Sequence, residues 1–256
     1  GASAFYALAY LSIYREPHTA VRAAEWINRN VPAGSAILKE HWDEGLPNLQ
    51  AFRHGTRELE LQMYDPDTPG KVRVVAQRLA GADYLVLFSN RLYGTIPRLL
   101  ERYPASSAYY SLLFSGQLGY DLVHSESTYP ELLGIGFVDE TFGRPGIAEP
   151  AAARQSPTSR LSLNLGFADE SFSVYDHPKV LIFENVARRD TESIMRTIES
   201  ATLYNIAVRA EPPARTVGLM LSPEDADAQQ SGGTWTDIVR ADSWTSRLPV
   251  VAWLIM

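Results

Sequence analysis

The chain is expected to fold as an α/β domain with a mixed, largely parallel sheet flanked by helices. Three observations predict this. A helix-then-strand unit occurs three times, the central strand is too apolar to alternate, and a separate segment alternates as a half-exposed strand does.

The clearest unit is residues 69–94, PGKVRVVAQRLAGADYLVLFSNRLYG. Val72, Val75, Ala76 and Leu79 fall on one helical stripe, Asp67 or Thr68 is placed to cap it with Pro69 in the first turn, and Gly81 is placed to end it. Residues 84–88 then read as a strand covered on both faces. Residues 19–38 repeat the unit, with Val21, Ala24, Ile27 and Val31 inward, a VPAGS break and a strand at 35–38. Residues 104–123 give the third copy, with Tyr109, Leu112 and Leu113 inward, a stop at Gly116 and a strand near 120–123. Between the first two units, RELELQMY at 57–64 places Leu59, Leu61 and Met63 on one side, as expected of a strand near a sheet edge.

Regularity fades after residue 125. Residues 139–168, rich in Pro, Gly, Ala and Ser, read as a mobile loop with no element of their own. ESFSVYDHPKVLIFEN, 170–185, reads as a C-terminal β-hairpin turning at Asp176-His177-Pro178-Lys179. A short capped helix at 191–201 with Ile194 and Ile198 on one face precedes an extended tail. The organisation is thus an apolar lead-in at 1–14, an α/β domain at 15–188, a helix and tail packing on it at 189–247, and an apolar close at 248–256.

At 256 residues and 45% hydrophobic content the chain supports a full core. A net charge of -7 leaves no basic footprint, which argues against a nucleic-acid partner. With no cysteine there is no disulfide, thiolate metal site or cysteine nucleophile. Residues 2–14 and 248–256 carry no charge, yet each is shorter than the ~20 residues that span a bilayer. Each is either a core element or the end of a membrane helix.

Chemistry is sparsely signalled. EHWDE at 40–44 follows a strand, where ligands of open α/β sheets gather. Alternation there would pair Glu40 with Trp42 on one face and His41 with Asp43 on the other, for a hard cation or a sugar. The loop SNRLYG at 89–94 leaves the next strand and adds Asn90, Arg91 and Tyr93. His18 reads as a cap residue and His177 as a turn residue. Neither a nucleophile elbow nor a phosphate-cradling glycine loop is present, so no catalytic residue, cofactor or metal is assigned. Most aromatics, including Trp26, Tyr84 and Tyr109, sit at core-facing positions; Trp42, Tyr93 and Trp235 are the loop candidates for stacking on a sugar.

The order REPHTAVRAAEWINRNVPAGSAILKEHWDEGLP, YDPDTPGKVRVVAQRLAGADYLVLFSNRLYGTIPRLLERYP, YYSLLFSGQLGYDLV, ESFSVYDHPKVLIFEN and QQSGGTWTDI resembles the outward-facing region of YYY-domain polytopic membrane proteins. These are similar to the dolichyl-phosphate-mannose protein mannosyltransferase type of glycosyltransferase. The resemblance runs from about residue 15 to 238. It implies a soluble domain on the extracytoplasmic side of the cell membrane, partnered by the membrane region of the same polypeptide and by a lipid-linked sugar or an acceptor glycan or protein. It implies that 248–256 leads into a further membrane helix. It carries no catalytic residue onto this chain, because the family's catalytic acid lies on an early loop with no counterpart here. On this view Glu40, His41, Trp42, Asp43, Asn90, Arg91 and Tyr93 are substrate-binding candidates. A free-standing periplasmic carbohydrate-binding or interaction module is the alternative, and a soluble hydrolase using Asp/Glu pairs is a further rival.

Overall fold

The computed structural model describes residues 2–47, 57–140, 149–150, 153, 157 and 159–209. Its compact unit spans Ala2–Val208. Helix α1 (Ala2–Tyr10) tightens into a 3-10 turn at Leu11–Arg15. Helix α2 (Thr19–Asn30) and strand β1 (Ala36–Glu40) follow, then β2 (Arg57–Leu61), α3 (Pro69–Gly81) and β3 (Tyr84–Leu87). Next come α4 (Pro104–Phe114), β4 (Tyr120–Glu126), β5 (Glu131–Leu132), β6 (Ile135–Glu140) and β7 (Leu161–Phe167). The described part closes with α5 (Glu170–Ser173), β8 (Val180–Asn185) and α6 (Thr191–Arg209).

The main sheet has the order β2-β1-β3-β8-β4. β1 is parallel to both neighbours, whereas β8 is antiparallel to β3 and to β4. Four of the five strands therefore point one way around a reversed β8, the mixed and largely parallel arrangement expected. Both faces are covered. On one, Leu38, Leu85 and Leu87 meet Val75 and Leu79 of α3, Tyr109 and Leu113 of α4, and Ile194 and Ile198 of α6. On the other, Ile37, Tyr84, Val86 and Ile182 meet Ala20, Ala23, Ala24 and Ile27 of α2. β3 is buried on both faces, which is why its sequence does not alternate. β2 lies at the edge and is half exposed, as its alternation predicts.

Local chemistry sets the helix ends. His18 caps α2, its Nδ1 accepting from the Ala20 N–H at 3.1 Å, and Thr68 caps α3 by accepting from Lys71 N–H at 3.1 Å. Val21 is only half buried, because the buried stripe of α2 is centred on its small residues Ala20, Ala23 and Ala24. Trp26 is half buried and stacks on His124 of β4 with ring centroids 4.6 Å apart.

Three expectations are corrected. The hairpin at 170–185 does not form: its first half is α5, started by Asp169, whose carboxylate accepts from Ser171 N–H at 3.3 Å and Oγ–H at 3.0 Å. β8 takes its partners from β3 and β4 instead, so no strand is needed beside it in sequence. The stretch 139–168 is not free of structure, because β6 ends in it and β7 lies in it, paired in parallel within a second sheet of order β5-β6-β7. The helix beginning at Thr191 runs to Arg209, and its first turns belong to the main core. The extended tail, Trp235 and the apolar segment 248–256 lie outside the described residues.

α1 covers the second sheet, its Phe5 and Tyr6 rings lying 6.2 and 5.1 Å from the Phe137 ring on β6. Among the described residues no helix is long and apolar enough to cross a membrane. For the site, the decisive feature is the strand order. From β1 the chain moves to β2 on one side and then crosses through α3 to β3 on the other, so the order reverses between β1 and β3. A crevice outside the carboxyl ends of such strands is where open α/β sheets place their ligands.

Candidate functional site

Five of the residues singled out in the sequence, Glu40, Trp42, Asp43, Asn90 and Arg91, lie at the end of β1 and in the loops of that reversal. After Glu40 the His41 N–H still donates to the Leu61 carbonyl at 2.8 Å, and then Trp42 turns into the left-handed region at φ 74. The turn breaks the alternation. Glu40 and Asp43, expected on opposite faces, both point inward at 1% and 9% exposure, while Trp42 stands out at 63%.

Asp43 joins the two loops. It accepts from Ser89 N–H at 2.9 Å and from Ser89 Oγ–H at 3.0 Å, and the same hydroxyl oxygen accepts from Arg91 N–H at 3.1 Å. Arg91 then ties three segments together, two through its side chain and one through its backbone. Its Nε donates to Glu170 of α5 at 2.8 Å, its Nη1 donates to the Trp42 carbonyl, and its own carbonyl accepts from the Tyr64 hydroxyl at 3.4 Å. Asn90 is buried and donates from Nδ2 to the Ala168 carbonyl at 3.5 Å, whereas its Oδ1 has no hydrogen-bond partner among the described residues. Glu40 Oε2 is in the same position, its Oε1 being taken by the Tyr110 hydroxyl of α4 at 2.6 Å. Unsatisfied buried oxygens of this kind are rare in folded proteins and cluster where a ligand, water or strain is involved.

Burial pushes the Glu40 carboxyl up to about 8; the Tyr110 hydroxyl works against this rise and the nearby Asp43 adds to it. Glu40 is therefore mainly a neutral acid at pH 7. Burial also raises Asp43, opposed by its two bonds from Ser89 and by the Arg91 charge. The arrangement offers hydrogen-bonding groups locked by their neighbours, one fixed guanidinium and an exposed indole. That is equipment for binding and orientation.

Two candidates fall elsewhere. His41 faces the neighbouring strand, its Nδ1 3.2 Å from Glu60 Oε2. Tyr93 is buried in the core, its ring 5.2 Å from Phe114. With His41 and Asp43 turned apart, EHWDE does not form the cation cluster considered from sequence, and among the described residues no group of three His, Asp or Glu side chains is placed to hold a metal. Tyr64, Tyr110 and Glu170 complete the site and were not marked by sequence, since only the fold brings them to Glu40 and Arg91, while Ser89 belongs to the loop already singled out and gains its role from its bonds to Asp43. A separate open groove of about 470 Å³ runs between β2 and α3, lined by Gln62, Asp65, Thr68, Lys71, Val74 and Arg78. Its wall also includes Glu60, which faces His41, and Leu61, which pairs with Glu40, but Glu40, Trp42, Asp43, Asn90 and Arg91 do not line it.

The loop geometry depends on one glycine. Gly94 N–H donates to the Asn90 carbonyl at 2.7 Å, and a Cβ at Gly94 would lie 2.4 Å from that oxygen. Gly94→Ala is expected to destabilise the domain by about 1–3 kcal/mol, read as a lower urea midpoint at unchanged m. An unchanged midpoint would show that the loop adapts freely.

No protein-family model matches the chain, and neither a curated protein nor a solved structure shows significant similarity to it.

Proposed function

We propose that this chain is the extracytoplasmic, non-catalytic domain of a membrane glycosyltransferase-like protein that transfers a sugar from a lipid-phosphate donor. In this reading it covers the outer side of the active site and binds the acceptor or the sugar headgroup at the loops that follow β1 and β3. The observation that supports it most is the convergence of Glu40, Trp42, Asp43, Asn90 and Arg91 where the strand order reverses, joined through the Asp43–Ser89 bonds. An exposed indole beside fixed hydrogen-bonding groups suits a sugar ring, whose apolar face stacks while its hydroxyls exchange hydrogen bonds. Arg91 adds a planar cation suited to phosphate.

The test is transfer by the full-length protein. Replacing Trp42 with Ala, Asp43 with Asn and Arg91 with Gln together is expected to lower kcat/KM by about a hundredfold, from the loss of one stacking and two charge-assisted contacts. Because Asp43 is buried, Trp42→Ala alone serves as the variant whose fold is not at risk, with a smaller loss expected. Turnover and acceptor affinity unchanged in both variants would reject the assignment.

A further inference from the structure

We infer that the groove between β2 and α3 docks an extended peptide segment of a partner protein as a further strand of the main sheet, antiparallel to β2, with a basic, an apolar and an acidic side chain at alternate positions. This stands apart from the glycosyltransferase reading and uses none of its site residues. β2 is an edge strand of the sheet. Arg57 N–H donates to the Ser35 carbonyl at 3.3 Å and the Leu61 carbonyl accepts from His41 N–H at 2.8 Å, so the odd-numbered residues turn their backbone groups to β1. The N–H and C=O groups of Glu58 and Glu60 therefore point away from the sheet, a row of donors and acceptors that another extended backbone matches. Leu59 and Leu61 pack on the side of α3, so every second side chain of an added strand enters the groove of about 470 Å³ beside that helix.

Charge and spacing decide the occupant. Gly70, Val74 and Arg78 line the groove at successive turns of one face of α3, with Asp65 at its N-terminal end. Strand and helix run in opposite directions, since Arg57 at the start of β2 donates to the Gly81 carbonyl at the end of α3 at 3.4 Å. Val74 and Arg78 thus lie about 6 and about 12 Å along the helix from Gly70, close to the ~7 and ~13 Å that an extended chain advances in two and four residues. A strand antiparallel to β2 sets its first groove-facing side chain by Asp65, its third on Val74 and its fifth by Arg78. Asp65 and Arg78 are exposed, and among the described residues their side chains make no hydrogen bond or ion pair. Val74, 49% exposed, is the apolar surface between them. The other charges at the groove are already met, Glu60 by Lys39 and Lys71 by Asp67. The complementary segment therefore reads base-x-apolar-x-acid from its N-terminus. A second copy of this chain fits poorly, because pairing two β2 strands in an antiparallel register sets Glu58 and Glu60 against the same residues of the copy.

The experiment titrates the whole chain with a labelled synthetic peptide of core Lys-Thr-Val-Thr-Glu, blocked at both ends, by fluorescence anisotropy, with amide exchange followed by NMR. Saturable binding is expected, with slower exchange at Glu58 and Glu60, whose N–H groups gain partners. Reversing the core to Glu-Thr-Val-Thr-Lys is expected to weaken binding. Arg78→Glu, at an exposed site with a good helix former, is expected to weaken it about fivefold, and a peptide with Lys in place of its Glu to recover most of that loss on the variant. Trp42→Ala is expected to bind the peptide like the wild type, so failure of this groove and failure of the sugar site are separable. No binding at about 1 mM peptide would overturn the inference. So would binding without protection of Glu58 and Glu60, equal affinity for the two core orders, or affinity unaltered by Arg78→Glu.

Discussion

Raising the pH from about 5 to about 8 is expected to shift the stability difference between Glu40→Gln and the wild type by about 3–5 kcal/mol towards the variant. The sign follows from the direction of the shift. Folding raises the Glu40 carboxyl from its ordinary 4.5 to about 8, so across this window the folded protein holds a proton that the unfolded chain has released. Stability associated with this group is fully present below the ordinary value, declines as the pH rises, and levels off above about 8. Glutamine keeps an oxygen for the Tyr110 hydroxyl and cannot ionise, so it removes the decline. Its amide N–H groups would occupy the unpartnered side of the carboxyl, at a cost of about 1–3 kcal/mol that does not vary with pH. The change in the gap with pH is therefore the diagnostic quantity, and urea unfolding of both proteins across that range measures it. Parallel profiles would mean that Glu40 is solvated or ionised in the native state.

Strands and helices were legible here wherever burial imposed a period on the sequence. α3 and β3 pack in the middle of the domain, so Val72, Val75, Ala76 and Leu79 show one full stripe and residues 84–87 none of the alternation of a half-exposed strand. β7 failed that test because of its surroundings: Leu161, Leu163 and Leu165 do alternate, yet all three are exposed and the preceding residues have a loop's composition. The strand reading of 170–175 failed because Asp169 supplies a local cap that alternation does not register. At the site, the two loops were legible from their position after strands. Facing was not, because Trp42 adopts φ 74 and brings Glu40 and Asp43 to one side. The contributions of Tyr110, 70 positions from Glu40, and of Glu170, 79 from Arg91, carry no local signal at all.

Asp67→Ala is expected to cost about 3–5 kcal/mol of stability, because Asp67 serves two distant helices at once. Sequence proximity makes it a cap for α3, but Thr68 takes that role. Asp67 Oδ2 instead accepts from the Ala105 and Ser106 N–H groups at 2.7 and 2.9 Å, capping α4. Its Oδ1 accepts from Ser106 Oγ–H at 2.6 Å and from Lys71 Nζ at 2.8 Å. The Lys71 ammonium also reaches the carbonyls of Met63 and Asp65 at 2.7 and 2.6 Å, and the pair is almost closed to water, with side-chain exposures of 8% and 5%. Removing the carboxylate thus leaves a buried cation without its counter-ion and α4 without its cap. Lys71→Met is expected to cost less, since Asp67 then keeps both backbone donors and Ser106. The double variant should be less unstable than the sum of the two, with a coupling of about 1–3 kcal/mol in a double-mutant cycle. Urea unfolding of the four proteins measures it; additive effects, or a loss below about 1 kcal/mol for Asp67→Ala, would show that α3 and α4 are held by apolar packing alone.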